Sequence, residues 1–481
     1  MTFHSVEGLM VQSHTNRYVT IAVLGLVALS GAVPAFSQAR IDRREWMRPG
    51  TPTTDDPQRI PVRPAPKGPK GVTVLKGGRV FDSIRAEAYP ATIVLENNKI
   101  KAILEPGKTD WPPDAKVLDV TGKTVMPGLI DNHVHLTYPN RDTPVDQHSS
   151  EGSGVLRGML NMRYYVENGF TSVRDMGGVL NATFLLSEWM AANKAVGPRV
   201  FASGHIITGT GGHAADRPIG ATHGPTFSIE VDGPMAWRAA VREMFKQGAA
   251  FIKIASHYSL DEVKAAVEEA HALGLKVSSD CESIYVQMAA EAGVDTIEHP
   301  LPRTDEAIKL MAKNGVAAIP TLQVYHALLE AQGGYYGTAS RRFTMSSQQN
   351  FDMFKKMKAA GIKLGVGTDQ IGSATELTPN NYIGELHWFV KGGFTKAEAL
   401  MAATRINAEI IDMEDKIGSL KPGMLADLIV VDGKPDQDLD DLRRVETVIK
   451  DGFIVVDRGQ ILTPRHVPVP LANPTPPDTV K

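Results

Sequence analysis

The sequence predicts a (β/α)8 TIM barrel with a small β-sandwich built from the N-terminal and C-terminal segments. Three observations carry that expectation. After Thr124 short apolar runs alternate with amphipathic stretches, the sign of a parallel sheet with crossover helices. Eight such runs can be counted, the number a barrel requires. Strand-and-turn chemistry flanks this stretch on both sides, at Val72 and again from Ile417.

The chain has 481 residues, enough for one large domain and a smaller one. Its N-terminus reads as an export signal (1–39): Arg17 precedes the apolar run Tyr18 to Ser30, Pro34 breaks the run, and Ala35, Ser37 and Ala39 follow. That run is shorter than the ~20 residues needed to span a bilayer, so no stable membrane span is expected after cleavage. A periplasmic or secreted protein is implied. Its one cysteine, Cys281, permits no internal disulfide. Residues 40–71 turn to proline and charge, as in Pro61-Val-Arg-Pro-Ala-Pro-Lys-Gly-Pro-Lys70, a composition that builds linkers rather than cores.

From 72 to 123, Val72–Leu75, Ala91–Leu95, Ile100–Leu104 and Lys116–Val120 read as a small antiparallel sheet, with turns at Gly77-Gly78 and Asn97-Asn98. The barrel is assigned to 124–407. Its strands are expected at Thr124–Leu136, Phe170–Gly178, Arg199–Ile207, Ala249–Ser256, Leu275–Asp280, Val294–His299, Gly315–Leu322 and Ile362–Asp369. Ser259-Leu-Asp-Glu262 and Thr395-Lys-Ala-Glu398 are capping boxes, so helices start there. In 408–462, Ala426–Asp432 and Val445–Val456 are placed to complete the sheet begun at Val72. The tail, 463–481, is rich in proline.

A formal net charge of −3 gives no reason to expect nucleic acid or an anionic membrane as partner. A homo-oligomer is compatible with the sequence, which does not fix the state.

Barrel chemistry sits at the C-terminal ends of strands, so polar residues that end apolar runs are the ones to collect. His133 and His135, two apart on one strand, share a face and can converge on one ion. Lys253, His299 and Asp369 end three further runs. Singly each has a bland reading, as a snorkelling lysine, a strand-end cap or a helix cap. Together, in order on four strand ends, they read as a metal centre.

Met126-Pro-Gly-Leu-Ile-Asp-Asn-His-Val-His135, Val173-Arg-Asp-Met-Gly-Gly178, Ile206-Ile-Thr-Gly-Thr-Gly-Gly-His213, Gly293-Val-Asp-Thr-Ile-Glu-His299 and Gly418-Ser-Leu-Lys-Pro-Gly-Met-Leu-Ala-Asp427 resemble the metal-dependent amidohydrolase superfamily, in its imidazolonepropionase-like and prolidase-like branch. The resemblance runs from about Val72 to Ile461. It implies one or two divalent ions, zinc first among those that suit nitrogen and oxygen donors. His133 and His135 would hold the more buried ion, a carbamylated (N6-carboxylated) Lys253 would bridge to a second, and His299 would bind that second ion. Asp369 would be ligand and general base towards a metal-activated water.

The family usually ends its fifth strand with histidine; here the chain reads Lys276-Val-Ser-Ser-Asp-Cys-Glu-Ser283. Strand parity favours Asp280 as a replacement ligand, with Ser279, Cys281 and Glu282 as alternatives. A centre with one ion, in which Lys253 is a structural or catalytic amine, stays open. The resemblance also implies a substrate or oxyanion contact for His213, and Tyr138, Arg217, His257 and Tyr325 are placed to line the substrate pocket. The expected reaction is hydrolysis of C–N bonds in small amide or dipeptide-like substrates. A lactone, carbamate or urea-type xenobiotic hydrolase is the runner-up, and a degenerate binding protein a third reading.

Overall fold

The computed structural model describes residues 68–139, 150–215, 227–301, 304–331, 335–337, 342–371 and 377–462. The expected signal peptide, the linker as far as residue 67, Arg217 and the proline-rich tail lie outside the described residues. No described helix is long and apolar enough to cross a membrane.

The fold is mixed α/β. Leu129–His135 pairs in parallel with Phe170–Asp175, and that strand with Arg199–Ala202. Ile206–Thr208 pairs in parallel with Ile252–Ala255, followed by Val277–Glu282, Thr296–Leu301 and Ala317–Ile319. The third expected run is therefore broken, its first part pairing to one side and its second to the other. Gly204, between them, takes φ 76°, a conformation that glycine adopts without a Cβ penalty. Ile206–Thr208 also takes on Ser228–Glu230, a parallel strand outside the eight expected.

The last expected run, Ile362–Asp369, meets its neighbours differently. It touches one side through an isolated bridge from Leu364 to Ala318. On the other side Asn132 N donates to Val366 O at 3.1 Å and Asp369 N to His133 O at 2.8 Å, before Gln370–Ile371 pairs with Val134 and His135. This run therefore meets Ala317–Ile319 on one side and the strand of His133 and His135 on the other. Gly367 makes this approach feasible: a Cβ there would lie 2.8 Å from His133 Cβ. Asn407 seals the seam, donating to Ile130 O at 2.6 Å and Val366 O at 2.8 Å and accepting from Val366 N at 2.9 Å.

Helices pack against the parallel strands in one apolar cluster. Both expected capping boxes form, Ser259 with Glu262 ahead of Leu260–Ala272 and Thr395 with Glu398 ahead of Lys396–Met401. Val263, Ala266, Val267 and Ala270 bury one face of the first against a core that includes Ile254, Val277 and Ile297 from the strands.

The terminal segments depart from expectation in three ways. Val72–Lys76 pairs antiparallel with Thr92–Glu96 but parallel with Lys116–Asp119, so that sheet is mixed. The run from Thr124 to Leu136 is two strands: Thr124–Pro127 pairs antiparallel with Leu428–Val431, and only Leu129–His135 joins the parallel set. A Cβ on Gly128, between them, would fall 2.2 Å from the Thr171 side chain, so glycine lets the chain change sheets there. Finally, the C-terminal strands join Thr124–Pro127, Arg79–Val80 and Tyr89–Pro90 in a second sheet of seven strands instead of extending the one at Val72. Leu75, Ile93 and Ile100 of the first sheet share one apolar cluster with Val125, Leu428 and Ile449 of the second.

Glu385, on the helix Asn380–Lys391, is fully buried; its Oε2 accepts from Gln323 N at 2.7 Å, while Oε1 has no hydrogen-bond partner among the described residues. Burial pushes this carboxyl from its ordinary 4.5 up to about 8. The native state therefore holds a proton that the unfolded chain releases, and the associated stability, full below pH 4.5, is lost as pH rises through 8. At about 1.4 kcal/mol per pKa unit the loss is several kcal/mol. Glu385→Gln should match wild type in thermal stability at pH 5 and exceed it at pH 9. A variant equally destabilised at both pH values would contradict this account.

Candidate active site

Three imidazoles and two carboxylates meet where the parallel strands end. His133 is inaccessible to solvent and His135 nearly so. His133 Nδ1 donates to Glu298 Oε2 at 2.8 Å, and His135 Nδ1 donates to the carbonyl of Gly177 at 3.1 Å. These contacts place the protons of the neutral rings on Nδ1 and leave lone pairs on both Nε2 atoms. Burial, reinforced by the nearby charge of Lys253, lowers both imidazoles below their usual range, so the neutral form prevails at neutral pH.

Each Nε2 lies 3.4 Å from the same atom, Asp369 Oδ1. Two nitrogen lone pairs and a carboxylate oxygen thus face one another across a buried space, and His133 Nε2 has no hydrogen-bond partner there. Such a set is short of a cation, so the residues fit a divalent ion. Burial alone would raise the Asp369 carboxyl, but its basic surroundings, His299 first among them, hold it below the ordinary carboxylate range. Asp369 is available as an anion.

His299 approaches from the other side, its Nε2 3.5 Å from Asp369 Oδ2 and its Nδ1 2.5 Å from the Thr321 hydroxyl. His133, His299 and Asp369 form a group whose donor atoms all lie within 4.8 Å of one another. Lys253, 1% exposed, and Asp280, 2% exposed, complete the far side: Lys253 Nζ is 3.2 Å from Asp280 Oδ2. The same oxygen is 3.2 Å from His213 Nε2 and 3.8 Å from His299 Nε2.

At the fifth strand end the neighbours of Asp280 face elsewhere. Ser279 Oγ bonds the Tyr258 hydroxyl at 2.9 Å, Glu282 accepts from Ser256 Oγ at 3.3 Å, and burial pushes the Cys281 thiol up to about 12. Of the expected pocket residues, Tyr138 stacks on His135 with ring centroids 4.1 Å apart, and Tyr325 lies 5.0 Å from the His299 ring. His257 packs instead on Tyr285, 5.5 Å between centroids.

Sequence reasoning passed over the groups that hold these ligands. Glu298 accepts from Arg174 Nη2 at 2.5 Å, Ser278 Oγ at 2.7 Å and Thr296 Oγ1 at 3.0 Å as well as from His133. Asp131 accepts from His133 N at 3.1 Å, Thr368 N at 3.0 Å and Thr368 Oγ1 at 2.6 Å, and Asp175 accepts from Leu136 N at 2.8 Å. Their common signal is a charge inside an apolar run, where burial without partners is costly.

The Amidohydrolase family pattern matches residues 124–455. This chain belongs to the amidohydrolase family. An ochratoxinase of Aspergillus niger is 26% identical over 79% of this chain and 85% of its own length. An imidazolonepropionase of Symbiobacterium thermophilum is 23% identical over 73% of this chain and 85% of its own. A prolidase solved with N-methylphosphonate-L-proline is 31% identical, with a TM-score of 0.72, covering 80% of this chain and all of that one.

The contacts of Glu298 carry a prediction for this member of the family. Glu298→Gln should weaken divalent-metal binding about 10- to 100-fold, the range for outer partners of metal-ligating histidines. It should also lower thermal stability, because the Arg174 charge loses its buried partner. Equilibrium metal titration of the folded variant checks this, and an unchanged dissociation constant would remove Glu298 from any orienting role.

Proposed function

We propose that this amidohydrolase hydrolyses C–N bonds of small amide or dipeptide-like substrates at a centre formed by His133, His135, His299 and Asp369, with a divalent ion, zinc first, as its cofactor. The observation that carries this reading is the convergence of two imidazole lone pairs on Asp369 Oδ1 at 3.4 Å. When bound there, a divalent ion supplies an acidified water and a polarised carbonyl. The similarity to a prolidase and an ochratoxinase supports an amide-type substrate.

The chain's own residues account for the remaining steps. Asp369, held as an anion, takes the proton of the attacking water and returns it to the leaving nitrogen. His213, tethered by its main-chain N–H to Ser256 O, presents an edge to the centre from which to hold the substrate carbonyl as it gains charge. Tyr138 and Tyr325, packed on ligand rings, wall the space and keep water from it. How many ions are held turns on Lys253 and Asp280: the family resemblance implies a carbamylated lysine and a second ion.

The same reading takes the parallel strands from Leu129 onward to close as a (β/α)8 barrel and the two terminal sheets to pack as a β-sandwich beside it, Thr124–Pro127 belonging to the second sheet. It takes the protein to be exported to the periplasm or beyond by residues 1–39.

A hydrolysis screen on protein prepared without chelator tests the proposal. N-acyl amino acids and Xaa-Pro dipeptides should be cleaved in preference to lactones and carbamates, and chelation should stop the reaction. Asp369→Asn should lower the rate at least ~100-fold, the lower end of what a general acid–base group contributes. Hydrolysis by that variant at the wild-type rate would sink the mechanism.

A further inference from the structure

Lys253 and Asp280 are neighbours by construction. Their strands run parallel with Lys253 opposite Ser278 and Ala255 opposite Asp280, so the two side chains sit diagonally on the face that meets the other ligands. At 3.2 Å, with both groups buried, they form an ion pair, and Lys253 Nζ makes no hydrogen bond among the described residues, so this carboxylate is what balances its charge. Asp280 Oδ2 already faces three basic nitrogens, those of Lys253, His213 and His299. A buried amine is costly unless neutralised, and here a side chain of the protein does so.

We propose that Lys253 stays unmodified, ion-paired with Asp280, and that the centre accordingly holds one divalent ion, at His133, His135, His299 and Asp369, in place of two bridged by a carbamate. The inference rests on the metal-dependent reading above and deepens it. Carbamylation would form a bond between Nζ and the carbon of CO2 and release two protons, converting the cation of this pair into an anion. Asp280 would then face a second carboxylate, with Asp369 on the opposite side of His299 as a third. The unmodified pair leaves both charges matched and leaves His213 to bind and orient substrate.

Metal counting combined with carbon labelling tests this. Wild type and Asp280→His are incubated with zinc and 13C-bicarbonate, then analysed for metal equivalents per chain and for a carbamate carbon by 13C NMR. Wild type should hold one equivalent and show no carbamate signal. Asp280→His, which replaces the pairing carboxylate with a neutral donor, should gain both a second equivalent and the signal. Two ions with a carbamate in wild type overturn the inference and leave the metal-dependent reading standing; no bound ion overturns both. A variant that folds yet behaves as wild type overturns the role given to Asp280. Should the variant fail to fold, the wild-type measurement still decides the number of ions.

Discussion

One buried carboxylate, Glu298, holds this centre together. It receives hydrogen bonds from His133, Arg174, Ser278 and Thr296, which tie three further parts of the fold to the strand that carries it. Remove it, and a buried guanidinium and an imidazole lose their shared acceptor together. Because a buried network that is only partly satisfied costs more than none, the contact is all-or-nothing. The Nε2 lone pair of His133 points at Asp369 because its Nδ1 is held from behind. Asp131 and Asp175 act likewise on the backbone, fixing where the histidine strand sits between its neighbours. The side chains proposed to meet a metal are therefore positioned by others that never reach it.

Much of this was legible from sequence, and the physical reason is periodicity. A buried parallel strand ending in a polar residue leaves a plain mark, and His133, His135, Lys253, His299 and Asp369 were all found that way; the structure brings them together. Parity separated Asp280 from Ser279, because those two side chains leave the strand on opposite faces. The same rule failed one position away. Glu298 and His299 are adjacent, yet both contact His133, its Nδ1 in one case and its ring in the other. His299 adopts φ 48° and Asp369 φ 51°, left-handed conformations that break the two-residue alternation at the strand end. Strain of this kind gathers at functional sites and has no signature in apolar periodicity. The terminal sheets were misjudged for a different reason: short strands carry the signal of being strands but not of their partners, so a mixed pairing at Val72 and the junction at Gly128 were invisible.

Asp280 shows how one strand-end residue alters the terms of a site without disturbing its frame. The strand keeps its register and direction, and the side chain enters the same space, yet a carboxylate there meets an amine at 3.2 Å where a neutral ring would not. Charge pairing, more than shape, distinguishes the far side of the centre from the near side. On the near side the neutral rings of His133 and His135 face Asp369; on the far side Lys253 and Asp280 face each other as a charged pair.

The pairing of Thr124–Pro127 with Leu428–Val431 bears on how the protein is made. The strand that carries His133 and His135 emerges from its ribosome about three hundred residues before the segment that anchors its upstream end. The strand in front of Gly128 lacks this neighbour until Leu428–Val431 has been made. Contacts so distant in sequence form late. A nascent chain must therefore carry an unfinished sheet edge while about three hundred residues are added, which makes Leu428–Val431 a condition for completing the sheet that leads into the first strand of the site.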